Sequence, residues 1–358
     1  MAQRQMKPEE ERSAFRLRKI RSTLRVTARH LFALLWLCIA ITTSIGCGQP
    51  AGRIFPMPNP PVVWPDPPST ARVQYVGKLT NSDDLKPAVS LPQSVGRILL
   101  GDQPPHTMVT PFAICTDDRN RLFVADSNAQ LIHVFDLDSR AYDQWKPAGH
   151  TVTFAQPVGI AFDPSGRIIV ADSVAQELLI FDRTGSLTDR VGHGVLQRPT
   201  GVAVDPTTGR LLVADAGAHQ ILVFSRQGNL LRRLGEQGTE LGQFNYPTHV
   251  ALDPQRQLYV TDSLNFRIQH FDADLNPLRI IGRQGHLPGY FSMPKGIATD
   301  SDGHLYTIDA HFEAVQIFNR DGQLLLTFGA EGHGPAEFWL PTGIHIDVTP
   351  SRLLYQSV

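Results

Sequence analysis

Three imidazoles and one lysine mark the places where an otherwise regular chain departs from its own pattern. His249, His311 and His345 come from three successive repeats. Neutral imidazoles converging from separate strands are the donor set of an open tetrahedral zinc site. Near them in the repeats lie Phe266, Arg267, Lys295, Phe312, Glu313, Tyr290 and Trp339. Cationic and aromatic groups gathered on connecting segments are the usual furniture of a ligand groove, so His249, Phe266, Arg267, Lys295, His311 and Trp339 form the expected binding set.

Other recurrent features invite chemistry without requiring it. Asp126, Asp172, Asp215, Asp262 and Asp309 each end a Leu/Ile-x-Val/Thr-x-Asp segment. A carboxylate present before a turn in every complete repeat predicts an acceptor for backbone N–H groups. Gly235-Glu-Gln-Gly238, Gly282-Arg-Gln-Gly285 and Gly329-Ala-Glu-Gly332 are glycine-rich, but none runs on into Gly-Lys-Ser/Thr or opens a helix. They read as connections, with Phe244, Phe291 and Phe338 as packing anchors, rather than as phosphate cradles. The sequence holds no Gly-x-Ser-x-Gly, His-Glu-x-x-His or Cys-x-x-Cys, so serine hydrolase, common zinc protease and cysteine-pair metal sites have no motif behind them.

The elements that must position these groups are short strands in a tandem array. Proline-led segments begin at Pro111, Pro157, Pro199, Pro247, Pro294 and Pro341, at intervals of 46, 42, 48, 47 and 47 residues. In the second copy, Gly159 to Asp163 and Arg167 to Asp172 flank the turn Asp163-Pro-Ser-Gly166, and Arg183-Thr-Gly185 separates two further apolar stretches. Four strands joined by turns make one blade, and blades bury their faces only against one another. The period predicts an all-β fold, a six-bladed β-propeller. After Pro341-Thr-Gly-Ile344 only a short stretch remains, so Arg72 to Leu79 is expected to pair with the C-terminal strands as an outer strand and close the ring.

Pro-x-Gly-Ile/Val-Ala followed by Val-Ala-Asp, with the Asn265-Phe-Arg-Ile268 segment and Gly282-Arg-Gln-Gly285 leading to Phe291-Ser-Met-Pro294, resembles NHL-repeat propellers over roughly residues 72 to 358. The resemblance implies the fold strongly and an activity hardly at all, since such propellers serve many functions. Amidating lyases built on a similar propeller hold zinc through histidines, which is the precedent for the His249, His311 and His345 alternative, with zinc or calcium as the metal.

Residues 1–47 are of another class. A basic segment precedes Leu31 to Ile45, an uncharged apolar stretch of 15 residues that ends at Ser44-Ile-Gly-Cys47. These are the elements of a secretory signal, and the apolar run is shorter than the roughly 20 residues of a comfortable membrane span. Ile-Gly-Cys resembles the lipobox of bacterial lipoproteins, which implies lipidation at Cys47 and an exported, membrane-anchored protein in the periplasm or outer membrane. Residues 48–71 contain eight prolines and are expected to form an extended spacer ahead of a propeller over residues 72–358.

Charge and cysteine content narrow the function. The chain has 33 Lys+Arg against 34 Asp+Glu, with much of the positive charge in its first 30 residues. The remainder is acidic and has no basic stripe, which argues against a nucleic-acid partner. Of three cysteines, only Cys115 lies in the repeats, so no disulfide within them is possible. Two functions follow as expectations. One is an envelope scaffold binding another protein or a small polar ligand. The alternative is a propeller enzyme, lyase-like or lactonase-like, with a metal in the central channel.

Overall fold

The computed structural model describes residues 50–56, 58–89, 99–101, 104–147 and 152–348. The segment with Leu31 to Ile45 and Cys47 lies outside them, as does the stretch after Val348. Among the described residues no helix is long and apolar enough to cross a membrane. Gly52–Pro87 and the stretch from Pro105 onward form one compact unit.

A two-stranded ladder comes first, β1 (Val63–Trp64) against β2 (Val73–Gln74), followed by a 3-10 helix over Ser82–Leu85. Five four-stranded antiparallel blades then follow in chain order. Blade one is β3 (Pro111–Thr116), β4 (Arg121–Asp126), β5 (Leu131–Asp136) and β6 (Tyr142–Trp145). Blade two is β7 (Pro157–Asp163), β8 (Arg167–Asp172), β9 (Glu177–Phe181) and β10 (Leu187–Val191). Blade three is β11 (Pro199–Val204), β12 (Leu211–Asp215), β13 (Gln220–Phe224) and β14 (Leu230–Leu234). Blade four is β15 (Pro247–Leu252), β16 (Leu258–Asp262), β17 (Arg267–Phe271) and β18 (Pro277–Ile281). Blade five is β19 (Pro294–Thr299), β20 (Leu305–Asp309), β21 (Ala314–Phe318) and β22 (Leu324–Phe328).

The second and third strands of blades two and three are almost wholly buried, because each of these sheets is sandwiched between two others. Apolar clusters fill successive junctions: Phe123, Trp145 and Phe181 between blades one and two, Leu178, Leu211 and Phe224 between two and three, Leu212, Phe244 and Phe271 between three and four, and Tyr259, Phe291 and Phe318 between four and five. Every inner strand opens on proline, which cannot donate to the ladder, and the register shifts at once after it.

Among the described residues five complete blades stand where six are expected. Pro341 to Ile344 runs between β19 and β3 in the place of a sixth inner strand without forming a ladder. Gly296 N–H donates to the Thr342 carbonyl at 2.9 Å, and Thr342 Oγ1 donates to the Phe112 carbonyl at 3.0 Å. The third residue of each proline-led segment explains how closely the inner strands approach. A Cβ on Gly159, Gly201, Gly296 or Gly343 would lie 2.6 Å from a carbonyl oxygen of the next segment around the ring.

The N-terminal expectations also need correction. Within Arg72 to Leu79 only Val73–Gln74 is strand, and among the described residues its partner is Val63–Trp64; the last ten residues lie outside them. Nor is the proline-rich stretch simply a spacer. Ile54 and Leu85 are buried with Val124, Phe135 and Leu137 of blade one, and Phe55, Leu79 and Met108 pack around them. Trp64 lies beside Phe328 of blade five, with ring centroids 5.3 Å apart and the rings tilted at 42°. Proline sets the backbone but leaves intervening apolar side chains free to bury, each worth about 1.5–3 kcal/mol when fully enclosed. Asn81 caps the 3-10 helix through a reciprocal pair of bonds with the Asp83 N–H and the Asp84 carboxylate, which turns the chain and presents Leu85 inward.

Turns at one end of the blades are linked by a belt of arginines. Arg183 pairs with Asp118 across blades two and one, Arg167 donates to the Arg226 carbonyl of blade three, and Arg256 pairs with Asp205 across blades four and three. Arg279 approaches Asp321 of blade five at 3.6 Å. Arg140 of blade one instead donates to the carbonyls of Gly52, Leu85 and Lys86.

Candidate functional site

The opposite end carries the blade-to-blade crossings and the turns between second and third strands, and the repeated aspartates tie these two together. Asp172 accepts from the N–H groups of Ala155 and Gln156 in the preceding crossing and of Val174 and Ala175 in its own turn. Asp309 does the same with Ser292, Met293, His311 and Phe312. All five aspartates are fully buried. Burial opposes ionisation of Asp126, but bonds from Val109, Ala129 and Thr110 and from the His133 ring outweigh it and hold the carboxyl below the ordinary range. These groups are structural acceptors, as their recurrence implies.

A second recurrence was not apparent in the sequence analysis. The residue before each third strand, Gln130, Gln176, His219, Phe266 or Glu313, has positive φ. Gln130 and Gln176 donate to the Ala155 and Gln197 carbonyls of the next crossing, His219 accepts from Tyr246 N–H, and Glu313 accepts from Leu340 N–H. The signal available was a side chain able to hydrogen-bond at one offset from the repeated Asp, absent only where Phe266 stands. Phe266 is half-buried against the blade four and five core.

The expected binding set divides. Arg267 is 7% exposed. Its guanidinium donates to Asp262 Oδ2 at 2.8 Å and to the carbonyls of Thr239, Glu240 and Gln243. It is therefore an internal staple in blade four and not a rim residue. Trp339, by contrast, is 58% exposed and lies beside His333, with ring centroids 5.1 Å apart. His311 is exposed in a cluster with His286 and Phe312, at centroid separations of 5.7–6.3 Å.

Trp339 also borders a cavity of about 620 Å³ at the sixth position. Its walls are Ile308, Val315 and Phe328 of blade five, Ala113, Ile114, Leu122 and Val124 of blade one, and Phe338 to Ile344. Leu79 and Met108 of the N-terminal segment close another side. The lining is overwhelmingly apolar, and the volume falls in the range of small-molecule and side-chain pockets.

His249 occupies the third position of β15, where the neighbouring segments have glycine. The carbonyl that would crowd it belongs to Lys295, and Thr261 Oγ1 donates to that oxygen at 2.8 Å. Both ring nitrogens of His249 are buried without a hydrogen-bond partner. Burial, reinforced by the Lys295 charge, pushes the imidazole down to about 3, so the ring is neutral at physiological pH. Burial also lowers the Lys295 ammonium. An unpartnered buried polar group costs on the order of 1–3 kcal/mol.

The alternative metal site does not assemble. His345 is exposed and shares a hydrogen bond with Thr116 Oγ1 at 2.8 Å, His311 stands at the rim with His286, and His249 is enclosed between β15 and β19. Among the described residues no group of three or more His, Cys, Asp or Glu is placed to hold a metal ion.

Comparison with known proteins agrees with this architecture. Residues 154–181, 196–224 and 244–271 match the NHL repeat. No curated protein matches the sequence. Among solved structures, virginiamycin B lyase from Staphylococcus aureus, determined as an inactive variant with quinupristin, is 16% identical at a TM-score of 0.51 and is covered over 65% of this chain and 73% of its own. A nidogen/laminin complex gives 17% identity, a TM-score of 0.53 and coverage of 66% and 84%. A protein of unknown function from Bacteroides thetaiotaomicron gives 16%, 0.56, and 69% and 66%. At such identities the likeness concerns fold alone, and one neighbour is a lyase while another is a binding protein. Together with the blades described above, the matched repeats identify this chain as a β-propeller carrying NHL repeats.

Proposed function

We propose that the protein is a membrane-tethered, extracytoplasmic binding module whose recognition surface is the sixth position: the apolar cavity, Trp339 on its lip and the adjoining aromatic rim with His286, His311 and Phe312. The single observation behind this is the cavity itself, an apolar recess of about 620 Å³ between two otherwise complete sheets, with a large exposed aromatic beside it. Exposed apolar recesses bordered by aromatic groups are the usual anchoring points of protein interfaces. The partner of choice is another envelope protein presenting an apolar segment. Tethering through Cys47 rests on the Ile-Gly-Cys sequence after the apolar stretch.

A photo-crosslinking amino acid at position 339 of the full-length protein in intact cells is expected to trap a discrete partner, whereas one at Leu231, on the outer strand of blade three, is expected to trap none. Identical adducts from both positions, or none from 339, would remove the proposal. Tethering is checked separately: Cys47→Ser is expected to abolish incorporation of labelled fatty acid and to release the protein from membranes.

A further inference from the structure

The recess at the sixth position has the walls that enclose a second strand elsewhere in the ring. Leu212 of β12 is buried in one cluster with Val250, Leu258 and Val260 of blade four, while Leu211 and Val213 are buried with Ala171 and Leu178 of blade two. Counted from the opening proline of each repeat, the equivalents of Val250, Leu258 and Val260 are Ile114, Leu122 and Val124 of blade one. Those of Ala171 and Leu178 are Ile308 and Val315 of blade five. All five line the recess. Pro341 to Ile344 stands between these walls in the place of an inner strand, and among the described residues no strand pairs with it.

The chain carries a segment that matches this gap. Asp205-Pro-Thr-Thr-Gly-Arg210-Leu-Leu-Val213 of blade three and Asp347-Val-Thr-Pro-Ser-Arg352-Leu-Leu-Tyr355 begin at the same offset, from Pro199 and from Pro341. Turn length and strand opening therefore coincide. The blade three ladder pairs Val202 with Val213, Ala203 with Leu212 and Val204 with Leu211. That register sets Ile344 opposite Tyr355, His345 opposite Leu354 and Ile346 opposite Leu353. His345 faces blade one through its bond to Thr116 Oγ1, so the same alternation turns Leu354 toward blade one. We propose that Leu353, Leu354 and Tyr355, which lie outside the described residues, fill the inner part of the recess as a second strand beside Pro341 to Ile346. Leu354 meets Ile114, Leu122 and Val124, and Leu353 and Tyr355 meet Ile308 and Val315. A run that is apolar on both faces suits a strand enclosed on both sides, and its burial drives the docking. The inference stands apart from the partner reading. Phe244 and Phe291 pack on Phe271 and Phe318 of third strands, with centroids 5.9 Å apart, so a second strand alone leaves Phe338 and the Trp339 lip open.

The test is a disulfide in the full-length protein in detergent, located by peptide mapping after mild oxidation. His345→Cys with Leu354→Cys puts two thiols at directly opposed ladder positions, about 4.5–5.5 Å apart at Cα, and is expected to close within one chain. His345→Cys with Leu353→Cys, whose second thiol points to the other face, is expected to stay reduced. A photo-crosslinking amino acid at position 354 of the otherwise native chain keeps the inference testable if a cysteine pair does not fold, and is expected to label Ile114, Leu122 or Val124 of the same chain. Equal oxidation of the two pairs, no disulfide in a folded first pair, a bond between two chains, or labelling that misses blade one would overturn the inference. Neither readout involves a partner, so trapping at position 339 succeeds or fails on its own.

Discussion

Two junctions built from nearly the same sequence have opposite fates. Between blades four and five, Gly282 makes room for the Phe291 ring, and Phe291 is fully buried among Tyr259, Ile281 and Phe318. After blade five, Gly329 makes the same room for Phe338, yet that ring is only half-buried and lines a cavity. The local turn is conserved in form, with a bridge from Gln284 to Phe291 in one and from Glu331 to Phe338 in the other. The difference lies in what comes next: a complete sheet follows Phe291, whereas among the described residues a single unladdered segment follows Phe338. A glycine-phenylalanine crossing therefore specifies a conformation, and the neighbouring sheet decides whether it becomes core or recess.

The contrast can be broken most directly at the two rings. Phe291→Ala is expected to cost about 3–5 kcal/mol, as for a fully enclosed aromatic, and Phe338→Ala less than about 1.5 kcal/mol. Denaturant unfolding of the full chain measures both, and equal losses would mean that the sixth position is packed like the others. Asp215→Ala is expected to lower stability by about 1–3 kcal/mol by leaving the Gln197, Arg198 and Ala218 N–H groups unpaired, without affecting a partner held at position 339.

His249 sharpens the comparison through pH. Its folded value of about 3 lies below the ordinary 6.5, so the unfolded chain binds the extra proton first as pH falls. Stability should decline from about pH 6.5 downward, by about 2 kcal/mol at pH 5, and His249→Gly should flatten that slope. Asp205 behaves in a lower window. Arg256 and the Thr208 hydroxyl hold it at about 2 against the burial that opposes ionisation. Its contribution is fully present above about pH 4 and is lost as pH falls through 2, at most about 2 kcal/mol. Arg256→Ala should reduce that acid-side loss, leaving the part due to Thr207 and Thr208, and should keep the slope near pH 5 intact.

The blades were legible because each repeat states its strands, its turn residues and its buried Asp in the same order. The recurrence itself separated structural carboxylates from functional ones, and Asp172 and Asp309 are bonded as that logic requires. Arg267 was not legible: its position in a connecting region suggests a rim, but among the described residues Asp262 accepts a backbone N–H from Asn245 and draws the side chains of Asn265, Arg267 and Gln269 inward. The N-terminal segment misled for a compositional reason. Eight prolines imply an extended chain, while the burial of Ile54 and Leu85 depends on a blade face left open some seventy residues away, which no local pattern reports. His249 and Trp339 were visible as departures from the repeat, yet one is enclosed and the other exposed, because strand position and crossing position differ in what packs over them.

The arginine belt gives the ring a mechanical character. Its clamps run from blade one through blade five and, among the described residues, the last of them ends there, while Arg140 turns away to hold the N-terminal segment. A ring fastened along most of its circumference and loose at one interval behaves like a split washer: strain from any source is relieved first at the split. Spreading of blades one and five would enlarge the sixth-position recess without breaking any of these arginine clamps, each of which fastens one of the other four junctions.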